Sequence, residues 1–221
     1  MIGVRVLVVS LFLAVTAAWA ADRVVVEDWR QATGTRGIPQ GWQGQNWGSP
    51  AYDFGVTDVD GQRALHLKSR TDSSTINKEL TSIKLKDTPI LEWRWKVVAL
   101  PKGGNSCKKA TDDQAAQVYV TWPRFPTAVR SRIIGYVWDS TVPAGTTCKS
   151  EKTGLVTYIV VRSGAEELGK WLTEQRDVRA DFKKIYGEEP DDPGAVSIAI
   201  DTNDVDGTAE AFVGPILFRK P

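Results

Sequence analysis

From residue 24 onward, short runs in which apolar and polar side chains alternate recur along almost the whole chain, each closed by Gly, Pro, Asn or Asp. A period of two suits a pleated strand, whose successive side chains face opposite sides, and it does not suit a sustained helix. The alternation predicts strands over 24–29, 52–57, 64–69, 75–85, 91–100, 115–122, 133–139, 155–162, 171–177, 195–201 and 209–218, with Asp60-Gly61 as a tight hairpin turn. One stretch breaks the pattern. Val178, Phe182, Ile185 and Tyr186 fall on one helical face, with Asp177 placed to cap the start and Gly187 to end it, so a helix is expected over 178–186. So many strands with a single short helix point to an all-β, antiparallel, jelly-roll-like β-sandwich rather than a closed barrel. No repeat and no Pro/Ser-rich linker divides the chain, so residues 21–221 are read as a single domain, a length sufficient for one core.

The first twenty residues lie outside this pattern. Arg5 is followed by an uncharged, mainly apolar run over 6–18 and by Ala18-Trp19-Ala20, the layout of a Sec signal peptide with its cleavage site. The run is short for a membrane span of ~20 residues, so residues 1–20 are read as a cleaved leader. No integral membrane segment is expected after cleavage, and the location is periplasmic or secreted. No cysteine follows the cleavage site to carry a lipid. The chain has 28 Lys plus Arg against 27 Asp plus Glu. It has no basic block to track phosphates, which argues against nucleic acid as a partner.

Cys107 and Cys148 stand in polar stretches and, in an oxidising compartment, are expected to pair. Closing a loop of that size is worth about 4 kcal/mol on the loop-entropy argument. Two cysteines without a CxxC spacing or neighbouring histidines do not make a zinc site. The lone histidine, His66, sits in a strand-like run and reads as structural. No cofactor is implied.

In Leu91-Glu92-Trp93-Arg94-Trp95-Lys96-Val97 the odd positions are large and apolar and the even positions charged, so Trp93 and Trp95 are assigned to the core and Glu92, Arg94 and Lys96 to a wet face. Extending that alternation to neighbouring strands would put Gln117, Tyr119, Thr121, Tyr136, Trp138, Tyr158, Arg162, Glu174 and Arg176 on a common surface. Aromatic rings beside fixed donors and acceptors suit a glycan, whose rings offer apolar C–H faces and hydroxyls. The alternative is a solvated sheet face laced with ion pairs. Trp42 and Trp47, in a Gly-rich loop with Gln and Asn, suit either a ligand-gripping rim or a plug for the end of the sandwich.

Carboxylates supply weaker candidates. Glu92, Glu174, Asp112 and Asp113 are the acids that glycoside hydrolysis would draw on, but no strand carries the E-x-D-x-E pattern. Asp201, Asn203, Asp204 and Asp206 resemble a calcium loop only superficially: Thr202 occupies the first ligand position, and a turn held by Asx hydrogen bonds is the simpler reading.

Several ordered motifs carry a family likeness: Leu91 to Val97; Asp112-Asp113-Gln114-Ala115-Ala116-Gln117-Val118-Tyr119-Val120; Tyr136-Val137-Trp138; Val161-Arg162-Ser163-Gly164; Trp171 with Glu174, Arg176, Val178 and Asp181; and Ala199-Ile200-Asp201-Thr202-Asn203. Together they resemble the domain-of-unknown-function 3047 family of exported bacterial proteins. The resemblance implies a secreted or periplasmic β-rich domain and carries no activity, substrate or cofactor. Gln117 stands where the family pattern tends to have Arg. The expected function is a non-catalytic module that binds a glycan or similar polar ligand. The alternatives are a carbohydrate-active hydrolase or lyase using the strand carboxylates, and a structural envelope protein.

Overall fold

The structure, a computed structural model, describes residues 22–31 and 36–221; the expected signal peptide over 1–20 lies outside the described residues. The strands are β1 (Arg23–Glu27), β2 (Gln43–Gly44), β3 (Asp53–Val59), β4 (Gln62–Arg70), β5 (Ser73–Glu79), β6 (Ile90–Ala99), β7 (Ala116–Trp122), β8 (Arg132–Asp139), β9 (Thr147–Lys149), β10 (Val156–Ser163), β11 (Leu172–Asp177), β12 (Ala195–Asp201) and β13 (Thr208–Arg219). Two α-helices are α1 (Thr127–Arg130) and α2 (Val178–Tyr186).

The strands form two sheets packed face to face. One runs β11-β6-β13-β4-β3, with β1 also paired to β13; the other runs β2-β5-β12-β7-β8-β10-β9. This is the expected β-sandwich, with one departure from antiparallel pairing: β10 lies parallel to β8. The chain leaves β8, crosses through 140–155, lays β9 outside β10 and then enters β10 in the direction of β8. A parallel neighbour needs such a crossover, and alternation within a strand carries no sign of it.

Four aromatic side chains set the spacing of the layers. Trp93 and Trp95 of β6 meet edge to face at 5.2 Å. From the other sheet, Tyr136 reaches Trp93 at 5.4 Å and Trp138 reaches Trp95 at 5.9 Å. All four are buried. Aliphatic positions on the same inward faces, among them Leu65, Ile76, Val118, Ile134 and Ile198, fill the rest.

Ion pairs close the side where β11 faces β10. Arg162 clasps Glu174 through Nε (2.8 Å) and Nη2 (3.1 Å), and Glu174 Oε1 also accepts from Trp95 Nε1 at 3.0 Å. Arg176 Nε donates to Asp181 of α2 at 2.9 Å, and the same carboxylate accepts from Tyr136 Oη at 2.9 Å.

Local signals behave as their chemistry requires. Asp60 and Gly61 both have positive φ (51° and 77°), which a two-residue hairpin turn with the twist of its strands demands. Helix α2 starts on Asp177, whose Oδ1 accepts from Ala180 N at 2.8 Å, and stops at Gly187. The expected strand over 75–85 ends at Glu79 instead. Its later apolar residues belong to a turn whose Ile83 and Leu85 plug the core, with Leu85 N held by Asp192 Oδ1 at 2.9 Å. The second helix, α1, is a single turn between β7 and β8 that carries no buried residue.

Cys107 and Cys148 are bonded, tying the segment before β7 to β9. Asp139 is fully buried and accepts from the backbone N–H groups of Ser106, Thr141 and Val142, each at 2.7 Å. It anchors the same region.

Trp138→Ala should lower the free energy of unfolding by about 3–5 kcal/mol, the range for removing a buried large aromatic, as read from urea denaturation. Replacing both cysteines by serine should cost up to about 4 kcal/mol; an unchanged urea midpoint would show that the bridge adds nothing to the fold.

Candidate functional site

The outward face of the seven-stranded sheet is a groove of about 720 Å³. Its floor follows from strand pairing. Residues directly opposite one another in a ladder point to the same side, and one row crosses five strands: Asn77 of β5 opposite Ser197 of β12, Ser197 opposite Tyr119 of β7, Tyr119 opposite Gly135 of β8, and Gly135 opposite Tyr158 of β10. At about 4.8 Å per strand the row is roughly 19 Å long. Thr75, Gln117 and Thr121 line neighbouring rows, Trp47 and Asp72 stand on one wall, and Ser150, Lys152 and Leu155 on the other.

Gly135 is buried beneath the floor. A Cβ there would lie 2.7 Å from the Tyr119 ring and 3.0 Å from the Tyr158 ring, so only glycine lets both tyrosines lean over β8, where their centroids sit 6.4 Å apart.

A relay of side-chain hydrogen bonds runs beneath the rings. Tyr119 Oη donates to Gln117 Oε1, and Gln117 Nε2 donates to Gln114 Oε1 at 2.7 Å. Gln114 Nε2 then donates to Asp112 Oδ1 at 2.8 Å, and Tyr158 Oη donates to Asp112 Oδ2 at 3.2 Å. Burial pushes the Asp112 carboxyl up to about 6, against the lowering pull of its bonds to Gln114 and Tyr158 and of the Lys152 charge. Burial likewise raises both tyrosine hydroxyls and Asp201 above their ordinary ranges, with Lys152 working against the rise at Asp201. The Lys152 ammonium rests on Asp204 and lies 4.0 Å from Asp201.

The structure gathers part of the expected surface and disperses the rest. Gln117, Tyr119, Thr121, Tyr158, Asp112 and Trp47 line the groove. Tyr136 and Trp138 do not: antiparallel pairing with β7 sends them inward and Gly135 and Val137 outward. Arg162 would share a face with Tyr158 if β10 kept strict alternation, but a register shift between Val160 and Arg162 turns it into the interior. Glu174 and Arg176 also face inward, into the ion pairs that close the sandwich.

Arg94 lies on the outer face of the opposite sheet, where it donates to Gln62 at 2.7 Å and stacks over Trp171. Glu92, on that same outer face, accepts from Arg219 at 2.9 Å. Glu92 and Glu174 therefore stand on opposite sides of one sheet and cannot share a sugar. Trp42 is 6% exposed, stacked on Trp29 at 5.7 Å with its Nε1 on Glu27; Trp47 is 57% exposed at the groove rim. The Gly-rich loop thus contributes one plug and one rim residue.

Asp113 is not a groove residue. Fully buried, it accepts from the backbone N–H groups of Asp204 and Val205 and so holds the 201–207 turn. That turn carries no converging metal ligands: Asp204 faces Lys152, Asp201 accepts from Asn203 N, and Asp206 is exposed. Among the described residues no three His, Cys, Asp or Glu side chains gather as a metal site. His66 bonds Glu210 at 2.7 Å and stacks on Phe212, a structural role.

The sequence reading passed over Thr75, Asn77, Ser197, Gly135, Gln114 and Lys152. Thr75 and Asn77 flank Ile76, and Ser197 interrupts Val196 and Ile198, so alternation carried a signal for these three. Lys152 lies in a turn with no period to mark it.

Similar solved structures include the family 11 carbohydrate-binding module of the cellulosomal cellulase Lic26A-Cel5E of Clostridium thermocellum, with 7% identity, 92% of this chain and 97% of that chain covered and a TM-score of 0.50. The family 11 module from Clostridium thermocellum in complex with a β-1,3-1,4-mixed-linked tetrasaccharide follows at 8%, 91%, 98% and 0.49. The xyloglucanase domain of NopAA, a type three effector from Sinorhizobium fredii, in complex with cellobiose, gives 11%, 86%, 98% and 0.44. At 7% identity the first of these likenesses is one of fold, and it agrees with the β-sandwich. No curated protein matches the chain in sequence. The protein-family model described as "Protein of unknown function (DUF3047)" matches residues 40–217, in keeping with the ordered motifs from Leu91 to Asn203, and the chain belongs to that family.

Proposed function

We propose that this protein is an exported, single-domain, non-catalytic module that binds a polysaccharide across the strands of its seven-stranded sheet. The observation that carries the reading is the row Asn77, Ser197, Tyr119, Gly135 and Tyr158. It brings aromatic rings, seated over a buried glycine, and fixed polar groups to one groove, with Trp47 exposed at the rim. Sugar rings present both apolar faces and hydroxyls, and a shallow aromatic floor bordered by amides and hydroxyls answers both. The fold shared with carbohydrate-binding modules is consistent with this use. The leader-like residues 1–20 and the Cys107–Cys148 bond support a periplasmic or secreted location. A purely structural envelope role leaves the groove without an explanation.

One feature favours the alternative of a carbohydrate-active enzyme. Asp112 lies in the groove with its carboxyl raised to about 6, the range of a general acid or base. Release of reducing ends from a polysaccharide panel, abolished in Asp112→Asn, would select that reading over simple binding.

In native gels containing soluble polysaccharides, the protein should be retarded by at least one polymer. Trp47→Ala should weaken that retardation about tenfold or more, as for a central aromatic contact, while its melting temperature stays close to that of the parent because the ring is exposed. Absence of retardation across a broad panel would sink the binding reading.

The raised Asp112 also makes a stability prediction. Its carboxyl holds its proton more tightly folded than unfolded, so its contribution to stability is complete below about pH 4 and is lost as pH rises through about 6. The unfolding free energy of Asp112→Asn relative to the parent should therefore improve by up to about 3 kcal/mol between pH 4 and pH 7.5. A pH-independent difference in urea titrations would show that Asp112 is not perturbed.

A further inference from the structure

The groove contains few ionisable side chains, and their balance is uneven. Among the described residues, Asp72 and Asp112 line it together with Asp201, whose burial favours its protonated form, against a single cation, Lys152. That cation is already committed to Asp204 and Asp201. Among the described residues no arginine lines the groove. Arg162 and Arg176, which a sequence reading would put there, are turned inward onto Glu174 and Asp181.

Hydrogen-bond polarity points the same way. An ionised carboxylate only accepts, so Asp112 sets the direction of the whole relay: Gln114 must give it an amide hydrogen, Gln117 must give one to Gln114, and each tyrosine must spend its proton inward. Tyr119 and Tyr158 therefore keep no hydroxyl hydrogen to offer a ligand. This end of the floor asks for donors, and sugar hydroxyls supply them. A uronate or sulfate group is acceptor-only. Placed there it would meet lone pairs and carboxylates with no free cation to offset its lost hydration, which opposes its binding. Nor is the site built to pair an ammonium: Asp112 is buried with both oxygens occupied, and Asp72 Oδ2 is held by Ser74 Oγ and Ala51 N.

From these two independent observations we infer that the groove selects uncharged polysaccharides and excludes chains bearing carboxylate or sulfate groups. The inference rests on the glycan-binding reading above and sharpens it to a ligand class. Lys152, the obvious anchor for an anionic sugar, is by this account a latent cation silenced by Asp204.

The test uses the full mature chain in native gels at neutral pH and physiological salt, with mixed-linkage β-glucan, xyloglucan and galactan as neutral polymers and polygalacturonate, alginate and dextran sulfate as anionic ones. Retardation by at least one neutral polymer and by none of the anionic ones is expected. The isosteric double variant Asp72→Asn/Asp204→Asn removes two negative charges and frees Lys152 from its nearer partner, leaving Asp201 at 4.0 Å. It should raise affinity for polygalacturonate about tenfold, equivalent to roughly 1.4 kcal/mol. Retardation of the parent protein by anionic polymers as strong as by neutral ones would overturn the selectivity while leaving glycan binding in place. A double variant that folds, by its far-UV circular dichroism, and gains nothing on polygalacturonate would overturn the assigned role of the charges. No retardation by any polymer would overturn glycan binding itself and the selectivity with it.

Discussion

The pleat of strand β8 is the constraint from which the groove follows. Tyr136 and Trp138 close on Trp93 and Trp95 of the facing sheet, and once those rings are inside, the residues between and beside them have only one direction left. Gly135 must face outward. Because it is the residue opposite both Tyr119 and Tyr158, the missing side chain opens room where two neighbouring strands present rings. A ring packed into the interior and the glycine that seats the groove's two tyrosines are thus consecutive residues of one strand. A shift of β8 by one residue would turn the glycine inward and the tyrosine outward, losing core and floor together.

Asp112 and Asp113 show the same economy at a strand's entrance. The backbone turns one carboxylate to the groove, where it ends a chain of amide and hydroxyl donors, and its neighbour to the backbone N–H groups of the 201–207 turn. That turn carries Asp204, which occupies Lys152. One dipeptide therefore ties the hydrogen-bond polarity of the floor to the placement of Lys152 on its wall. Buried polar groups are tolerable when every member finds a partner, and here Gln114 is a near neighbour in sequence while Tyr158, Asp204 and Val205 come from distant segments.

Features resting on local chemistry were legible from residues alone. The 178–186 helix, the Asp60-Gly61 turn, the cysteine pair and the core assignment of Trp93 and Trp95 each depend on a few neighbouring residues or on simple elimination. The composition of the groove was half legible. Alternation says which residues share a face, but not which face is core when both carry aromatics, so Tyr136 and Trp138 were grouped with Tyr119 and Tyr158. A single bulge reversed Arg162. Trp42 and Trp47 sit in an aperiodic loop where only the packing of Trp29 distinguishes plug from rim. Lys152 owes its place to a crossover connection, and parallel pairing leaves no mark on the period of a strand.

The seven-stranded sheet ends on one side in the two residues of β2 and on the other in the three residues of β9, the latter fastened by the disulfide. Unpaired backbone at a sheet margin is a template for adding further strands, and long flat margins invite self-association. Here the ladder runs out after two or three residues on either side, too few to hold an incoming chain by its backbone. The sheet is closed to recognition by strand addition. What it offers is its broad surface, and a molecule that recognises it must do so through side chains.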